Sequence, residues 1–352
     1  MILKKHILLV MSFLLIISCN ENDVEITPIN QSYLSIDSEA YRIAEGCYER
    51  VFILDSFLIM TTRCDDAKIH VYNKKNLQLI TKFGTEGLAP FELPRVWQFN
   101  NSSITDQCNS IHFYDARLWQ MKTINLNKIL SGENIADCIS SNNMDKFLFF
   151  SHNLTMLDNH KIAGRLIDEP VSKGMFFIYD TLKKETKWIN YVPKIKIPEG
   201  YRVAVFYGVL NANISKNSII YASSYFDQVL FYDLEGNLKK QHIFSKLKAP
   251  KLSNQIKWVE NGSIWYANST YATDEYCFVY RVCQPILENS QNPTIQILVF
   301  NWDGLLVNAF EIPYVSHICY DEEFGFFYTI ERSREENDPY VMVRKYKIDD
   351  YL

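Results

Sequence analysis

The chain has 352 residues, 14% of them aromatic (Tyr 22, Phe 22, Trp 6), and only 12 glycines. With 47% hydrophobic and 22% charged residues it cannot be an intrinsically disordered chain. A formal charge of −5 argues against a nucleic-acid partner, which would need a basic face. Aromatic excess favours strands, where flat rings pack on a pleated surface, and all-β propellers or barrels exceed the usual domain length as one unit.

Lys4, Lys5 and His6 precede an apolar run from Ile7 to Ile17, broken only by Ser12. That run is too short to cross ~30 Å of hydrocarbon and reads as a secretory signal peptide. It ends Ile16-Ile17-Ser18-Cys19, which resembles a bacterial lipobox. The resemblance implies cleavage before Cys19 and a lipid anchor on that residue. Residues 1–18 are then a lipoprotein signal, and 19–30, with Glu21, Asp23 and Glu25, an acidic flexible tether. Residues 31–352 are expected to form one domain.

Beyond Cys19 the cysteines are Cys47, Cys64, Cys108, Cys138, Cys277, Cys283 and Cys319. Seven cannot all pair, and a chain of this length needs no staples, so mostly buried free thiols are expected. Cys277 and Cys283 lie six apart on one strand-like stretch, roughly 20 Å of extended chain, and can pair only across a bend.

A repeated pattern runs along the rest: apolar residues, an aromatic, then Asp or Asn, a turn and another strand. Its copies are Ile69–Asn73, Ile111–Asp115, Phe177–Asp180, Val229–Asp233, Ile297–Asn301 and, more loosely, Val343–Asp349. Their ends are spaced 42, 65, 53, 68 and 48 residues apart, near a four-stranded blade plus loops. Gly236 and Gly304 sit where tight hairpins need a positive φ. Further strands are expected at Phe57 to Thr62, Ser218 to Ser223, Leu238 to Phe244, Leu305 to Ile312 and Phe324 to Ile330. Leu118 to Leu130 reads as a strand running into a helical turn.

Between the first two copies stands Phe83-Gly84-Thr85-Glu86-Gly87-Leu88-Ala89-Pro90-Phe91-Glu92-Leu93-Pro94. This resembles the inter-blade connector of NHL-repeat and TolB-like propellers. Gly84, Gly87, Pro90, Phe91 and Pro94 carry the resemblance. It implies a six-bladed, all-β propeller of four-stranded antiparallel blades, a lipoprotein of the Bacteroidetes kind. The last copy ends without an outer strand, so an N-terminal strand, at Ser32 to Ile36 or Tyr41 to Ala44, should close the ring beside Val341 to Tyr346.

Local chemical motifs are missing: no nucleophile elbow, P-loop or paired zinc ligands. His70 and His112 occupy like places in neighbouring copies, a blade apart, too far to share a metal. His152 and His160 have no ligand partner in their own elements, and His317 two before Cys319 makes no site alone. Asp65-Asp66, Glu322-Glu323 and Asp349-Asp350 are adjacent residues, which face opposite ways on a strand. Arg95 and Trp97, just past Pro94, are the residues expected to face the hub. Glu288 to Pro293 and Glu331 to Pro339 are long loops open to decoration.

These features point to a non-catalytic binding or scaffolding module for a protein or glycan, anchored to the outer membrane, monomeric, and without cofactor or metal. The alternative is a carbohydrate-active enzyme, lyase or hydrolase, with its site assembled at the hub from different blades. Two or more hub carboxylates, or a His with Tyr and Arg, would favour the enzyme.

Overall fold

The computed structural model describes residues 33–45, 47–89, 91–93, 109–115, 118–158, 160–166, 172–254, 258–285, 294–315, 317–332, 340–348 and 351–352, with Thr27 and Ile29. Six small antiparallel sheets form a β-propeller. Two N-terminal strands, β1 (Leu34–Ser35) and β2 (Ser38–Glu45), precede the first blade. Blade 1 is β3 (Tyr48–Leu54), β4 (Phe57–Thr62), β5 (Ile69–Asn73) and β6 (Leu79–Phe83). Blade 2 has β7 (Ser110–Asp115), β8 (Gln120–Asn125) and β9 (Ile139–Asn143) among the described residues, and β8 runs directly into the short helix α1 (Leu126–Leu130).

Blade 3 is β10 (Ser151–Met156), β11 (Lys161–Leu166), β12 (Phe176–Asp180) and β13 (Glu185–Ile189). Blade 4 is β14 (Gly208–Asn213), β15 (Ser218–Ser223), β16 (Gln228–Tyr232) and β17 (Leu238–Ile243). The pair β18 (Leu252–Ser253) and β19 (Trp258–Val259) stands between blades 4 and 5. Blade 5 is β20 (Ile264–Ala272), β21 (Tyr276–Pro285), β22 (Thr294–Asn301) and β23 (Leu306–Pro313). Blade 6 is β24 (His317–Asp321), β25 (Phe326–Arg332) and β26 (Tyr340–Lys347).

The N-terminus closes the ring. Strand β2 pairs antiparallel with β26, Tyr41 opposite Val343, and becomes the outer strand of blade 6. Strand β1 adds in parallel to β23, with Leu34 opposite Phe310. Of the two segments expected to close blade 6, the one around Tyr41 does so, and the one around Leu34 extends blade 5.

The recurring Asp or Asn has a physical reason. Asn73 Oδ1 accepts from the Lys75 amide (2.9 Å), and Asp180 Oδ1 from those of Leu182 and Lys183 (3.0 and 2.9 Å). Asp233 and Asn301 accept from Asn237 and Leu305 (2.7 and 2.9 Å). Each caps the hairpin that starts the next strand. Gly236 and Gly304 hold φ of 77° and 72° there. In blades 1 and 3 Leu77 and Lys184 hold the same left-handed conformation (57° and 58°), which explains how the fold manages with so few glycines.

Middle strands are covered on both faces: all six residues of β15 and all five of β16 are buried. The outer strand β6 is exposed at Leu79, Ile80 and Lys82 and buried only at Phe83. The cover is aromatic. Phe176 of blade 3 stacks on Tyr221 of blade 4 (5.6 Å), Phe231 meets Phe300 of blade 5 (5.4 Å), and Phe278 meets Tyr320 and Phe327 of blade 6 (4.9 and 5.1 Å). Such ring pairs contribute about 0.5–1.5 kcal/mol each beyond burial, so the aromatic surplus sits in the interfaces between blades.

Mostly buried free thiols are found among the described residues, as expected, but two expectations need correction: a chain without staples, and like places for His70 and His112. Cys47 and Cys64 form a disulfide that clamps the open end of the β3–β4 hairpin. Their partnership was hidden because they stand 17 positions apart in sequence, while Cys138, Cys277 and Cys319 are buried free thiols and Cys283 is half-buried. Second, β5 has one strand outside it and β7 has two. The copies holding His70 and His112 are therefore not equivalent positions.

Candidate functional site

The innermost strands β3, β10, β14, β20 and β24 surround the hub, with β3 beside β24, β24 beside β20, β20 beside β14 and β14 beside β10. At the end where these strands begin stand Arg50 on β3, His152 on β10, Tyr207 just before β14, Trp265 on β20 and His317 on β24. Three of these strands are bulged there: β3 between Tyr48 and Arg50, β10 after His152, and β20 around Ala267. A bulge turns a side chain out of its regular alternation, and such irregularities concentrate near functional sites.

Arg165 frames this end. It lies across from His152 in the β10–β11 ladder and is 2% exposed. Its guanidinium donates to the carbonyls of Met175, Val203 and Gly208 (3.2, 3.2 and 3.3 Å) and lies over the Tyr207 ring at 4.4 Å. These bonds tie blade 3 to the entry of blade 4. Beside Tyr207 stand Trp265 (5.9 Å) and Trp258 (6.2 Å), with Tyr225 edge-on to Trp265 (5.4 Å). The buried Trp265 Nε1 has no acceptor among the described residues.

Arg50 is half-buried, and its side chain makes no hydrogen bond or ion pair with any described residue. Burial pulls its guanidinium below the ordinary range. Burial, with the charges of Arg165 and Arg50, pushes His152 down to about 4. Burial and the Arg50 charge push His317 down to about 3. Both imidazoles are neutral at neutral pH, each with one donor and one acceptor nitrogen. The result is a cationic, partly desolvated end of the hub with neutral imidazoles, chemically suited to an anionic group.

The opposite end, where the same strands turn back, is acidic. A cavity of about 400 Å³ there is lined by Asp55, Lys74, Asp274, Asp321, Glu322 and Glu323 among others. Lys74 Nζ pairs with Asp321 Oδ1 (3.0 Å) and Glu323 Oε2 (2.7 Å), joining blade 1 to blade 6. The Glu275 amide donates to Glu322 (3.1 Å), and Asn213 Nδ2 donates to the carbonyls of Thr273 and Asp274 (both 3.1 Å).

Of the residues singled out in the sequence, Cys19, Pro90, Pro94, Arg95 and Trp97 lie outside the described residues, as do 286–293 and 333–339. Gly84 holds φ +82° and its carbonyl accepts from Lys68 (2.7 Å). Gly87 abuts the Glu92 carboxylate, where a Cβ would collide. Leu93 is fully buried, while Phe91 is 41% exposed. Lys122 of blade 2, fully buried, donates to the Glu92 carbonyl and holds this segment. His70 bonds Tyr48 (2.9 Å) and faces Asp65 (3.1 Å), and His112 bonds Thr123 (2.9 Å). Asp65 also meets Lys82 (3.2 Å), so that carboxylate belongs to a surface pair.

Nothing in the sequence singles out Arg50, Tyr207 or Trp265, and His152 and His317, weighed as metal ligands, make no site within their own elements. Their common signal is position: each opens or precedes the first strand of a blade, a class that emerges only when first strands are aligned rather than the third strands carrying the repeat.

No protein-family model matches this chain, and no curated protein matches it. Solved structures do. A member of the DUF4221 family from Bacteroides vulgatus is 15% identical with a TM-score of 0.62, covering 90% of this chain and 98% of that one. A Bacteroides fragilis protein described as exported is 10% identical with a TM-score of 0.51, covering 94% and 97%. These likenesses establish the propeller fold.

Proposed function

We propose that this is an exported, lipid-anchored propeller that binds an anionic ligand at the basic end of its hub. The observation that carries the reading is Arg50: a partly desolvated guanidinium on a bulged hub strand, without a carboxylate partner among the described residues. A desolvated cation is costly unless paired, so one without a partner among the described residues fits a site for an anion. Export is supported by the signal-like N-terminus ending at Cys19, by the Cys47–Cys64 disulfide, which suits an oxidising compartment, and by the likeness to a protein described as exported. Among the described residues no helix is long and apolar enough to cross a membrane. The Gly84-to-Leu93 segment supports kinship with NHL and TolB-like propellers.

A second reading has its own observation. His152, His317, Arg50 and Tyr207 converge on one hub, the combination expected of an enzyme acting on a glycan. Histidines held neutral by burial stand in the base form, and a bound anion would raise their basicity.

One experiment tests the binding reading. The detergent-solubilised full chain is melted with and without millimolar glucuronate or sulfate, alongside Arg50→Gln. Anions should raise the melting temperature of the wild type and leave the variant unmoved. No shift in the wild type, or an equal shift in both, overturns the reading. Shortening of an acidic polysaccharide during incubation would replace binding by the enzymatic reading.

A further inference from the structure

We propose that the basic end of the hub is a subsite for a carboxylate-bearing sugar residue of an acidic glycan. Arg50 takes the carboxylate and the Tyr207–Trp258–Trp265 group takes the sugar ring. The proposal rests on the binding reading above and names its ligand.

The two arginines divide the work. Arg165 has three carbonyl acceptors and a ring over which it stacks, so it supplies fixed positive potential and holds Tyr207 in place. Arg50 has its guanidinium fork free among the described residues, the geometry that receives a carboxylate through two parallel bonds. An acid is therefore expected at Arg50 and not at Arg165.

The neighbouring aromatics decide between a sugar and a simple anion. Tyr207, Trp258 and Trp265 are all half-buried, with the two tryptophan rings 6.2 and 5.9 Å from the Tyr207 ring and tilted against it, so apolar ring surface stands beside the charged end. A phosphate or sulfate has no apolar face to lay on it, whereas a pyranose ring does. The buried Trp265 Nε1, without an acceptor among the described residues, is a donor in the same cluster that a hydroxyl could satisfy. His152 and His317, neutral, each present a donor and an acceptor, as hydroxyls do. Charged imidazoles would instead suit a second acid group, so a densely acidic peptide fits this end less well than a sugar with one carboxylate among several hydroxyls.

The test is calorimetric titration of the full chain with trigalacturonate, its methyl ester, cellotriose, sulfate and poly-glutamate. Trigalacturonate should bind more tightly than its methyl ester and cellotriose. Arg50→Gln should weaken trigalacturonate by about 10- to 100-fold, the value of a hydrogen-bonded charge. Arg50→Lys should recover part of that loss. Trp265→Ala should weaken trigalacturonate and its methyl ester alike. The ester comparison uses wild-type protein and needs no variant to fold. Equal binding of acid and ester overturns carboxylate recognition. Tighter binding of poly-glutamate overturns the sugar in favour of a protein ligand. If sulfate binds through Arg50 as well as trigalacturonate does, and Trp265→Ala changes nothing, the sugar fails while the anion-binding hub survives. If Arg50→Gln alters none of these titrations, the hub reading fails with it.

Discussion

The two ends of the hub are built from the same strands and use charge in opposite ways. At the turn end, Lys74 is 3% exposed and engages Asp321 and Glu323, Asn213 bonds the neighbouring blade's carbonyls, and Glu275 leans on Glu322. Blade-to-blade closure consumes those groups. At the start end, Arg165 makes such a bond between blades 3 and 4, but Arg50 has no described partner and the two histidines are neutral. Charges that are satisfied within the protein hold it shut, and charges that are not are the ones available to a ligand.

The sharpest way to break this contrast is to remove one partner from each end. Lys74→Met strands a carboxylate that is 2% exposed, so a loss of about 3–5 kcal/mol in urea denaturation is expected, with anion affinity unchanged. Arg50→Gln should do the reverse, keeping or raising stability while anion binding is lost. A comparable stability loss in both variants would erase the distinction between the ends.

Next in size is the clamp on β3. Replacing Cys47 and Cys64 together by serine opens a loop of seventeen-residue separation and should cost about 3 kcal/mol in the same assay. Cys47 lies three residues before Arg50, so ligand affinity should fall as well, unlike in Lys74→Met. Unchanged affinity would mean that β3 holds Arg50 without the clamp.

Acid should loosen the basic end first. His152 and His317 titrate near 4 and 3 in the fold and near 6.5 when unfolded. Between those values the unfolded chain binds the extra proton. Stability is therefore full above about 6.5 and falls as pH drops towards 4, at up to about 1.4 kcal/mol per pH unit for each histidine. His70 and His242, also lowered by burial, act in the same direction. Arg50→Gln removes a cation acting on both hub histidines and should flatten the slope in a pH series of denaturation curves. The smallest effect is expected away from both ends: Phe91→Ser, at a 41% exposed ring, should stay within about 0.5 kcal/mol of wild type.

Much of the architecture was legible because it is written in short-range physics. The Asp or Asn after each aromatic is a hairpin cap whose bonds span two to four residues, so Asn73, Asp180, Asp233 and Asn301 announced their turns. The missing outer strand of blade 6 followed from counting, and β2 supplies it. The binding end was not legible. Arg50, His152, Tyr207, Trp265 and His317 belong to five blades and share no motif, while Arg95 and Trp97, the residues the connector pointed to, lie outside the described residues. His70 and His112 looked alike only because a strand's local pattern does not state its rank in the sheet.

The sequence by itself therefore determined the strands, their turns, the six-fold repetition and the excess of rings between blades, since each arises from neighbours along the chain or from a composition common to all blades. Tertiary structure alone decided which charges meet across the hub, which cysteines pair and which arginine has no partner among the described residues. Those choices depend on distances between residues as far apart in sequence as Arg50 and His317, and closing a ring is what makes such residues neighbours.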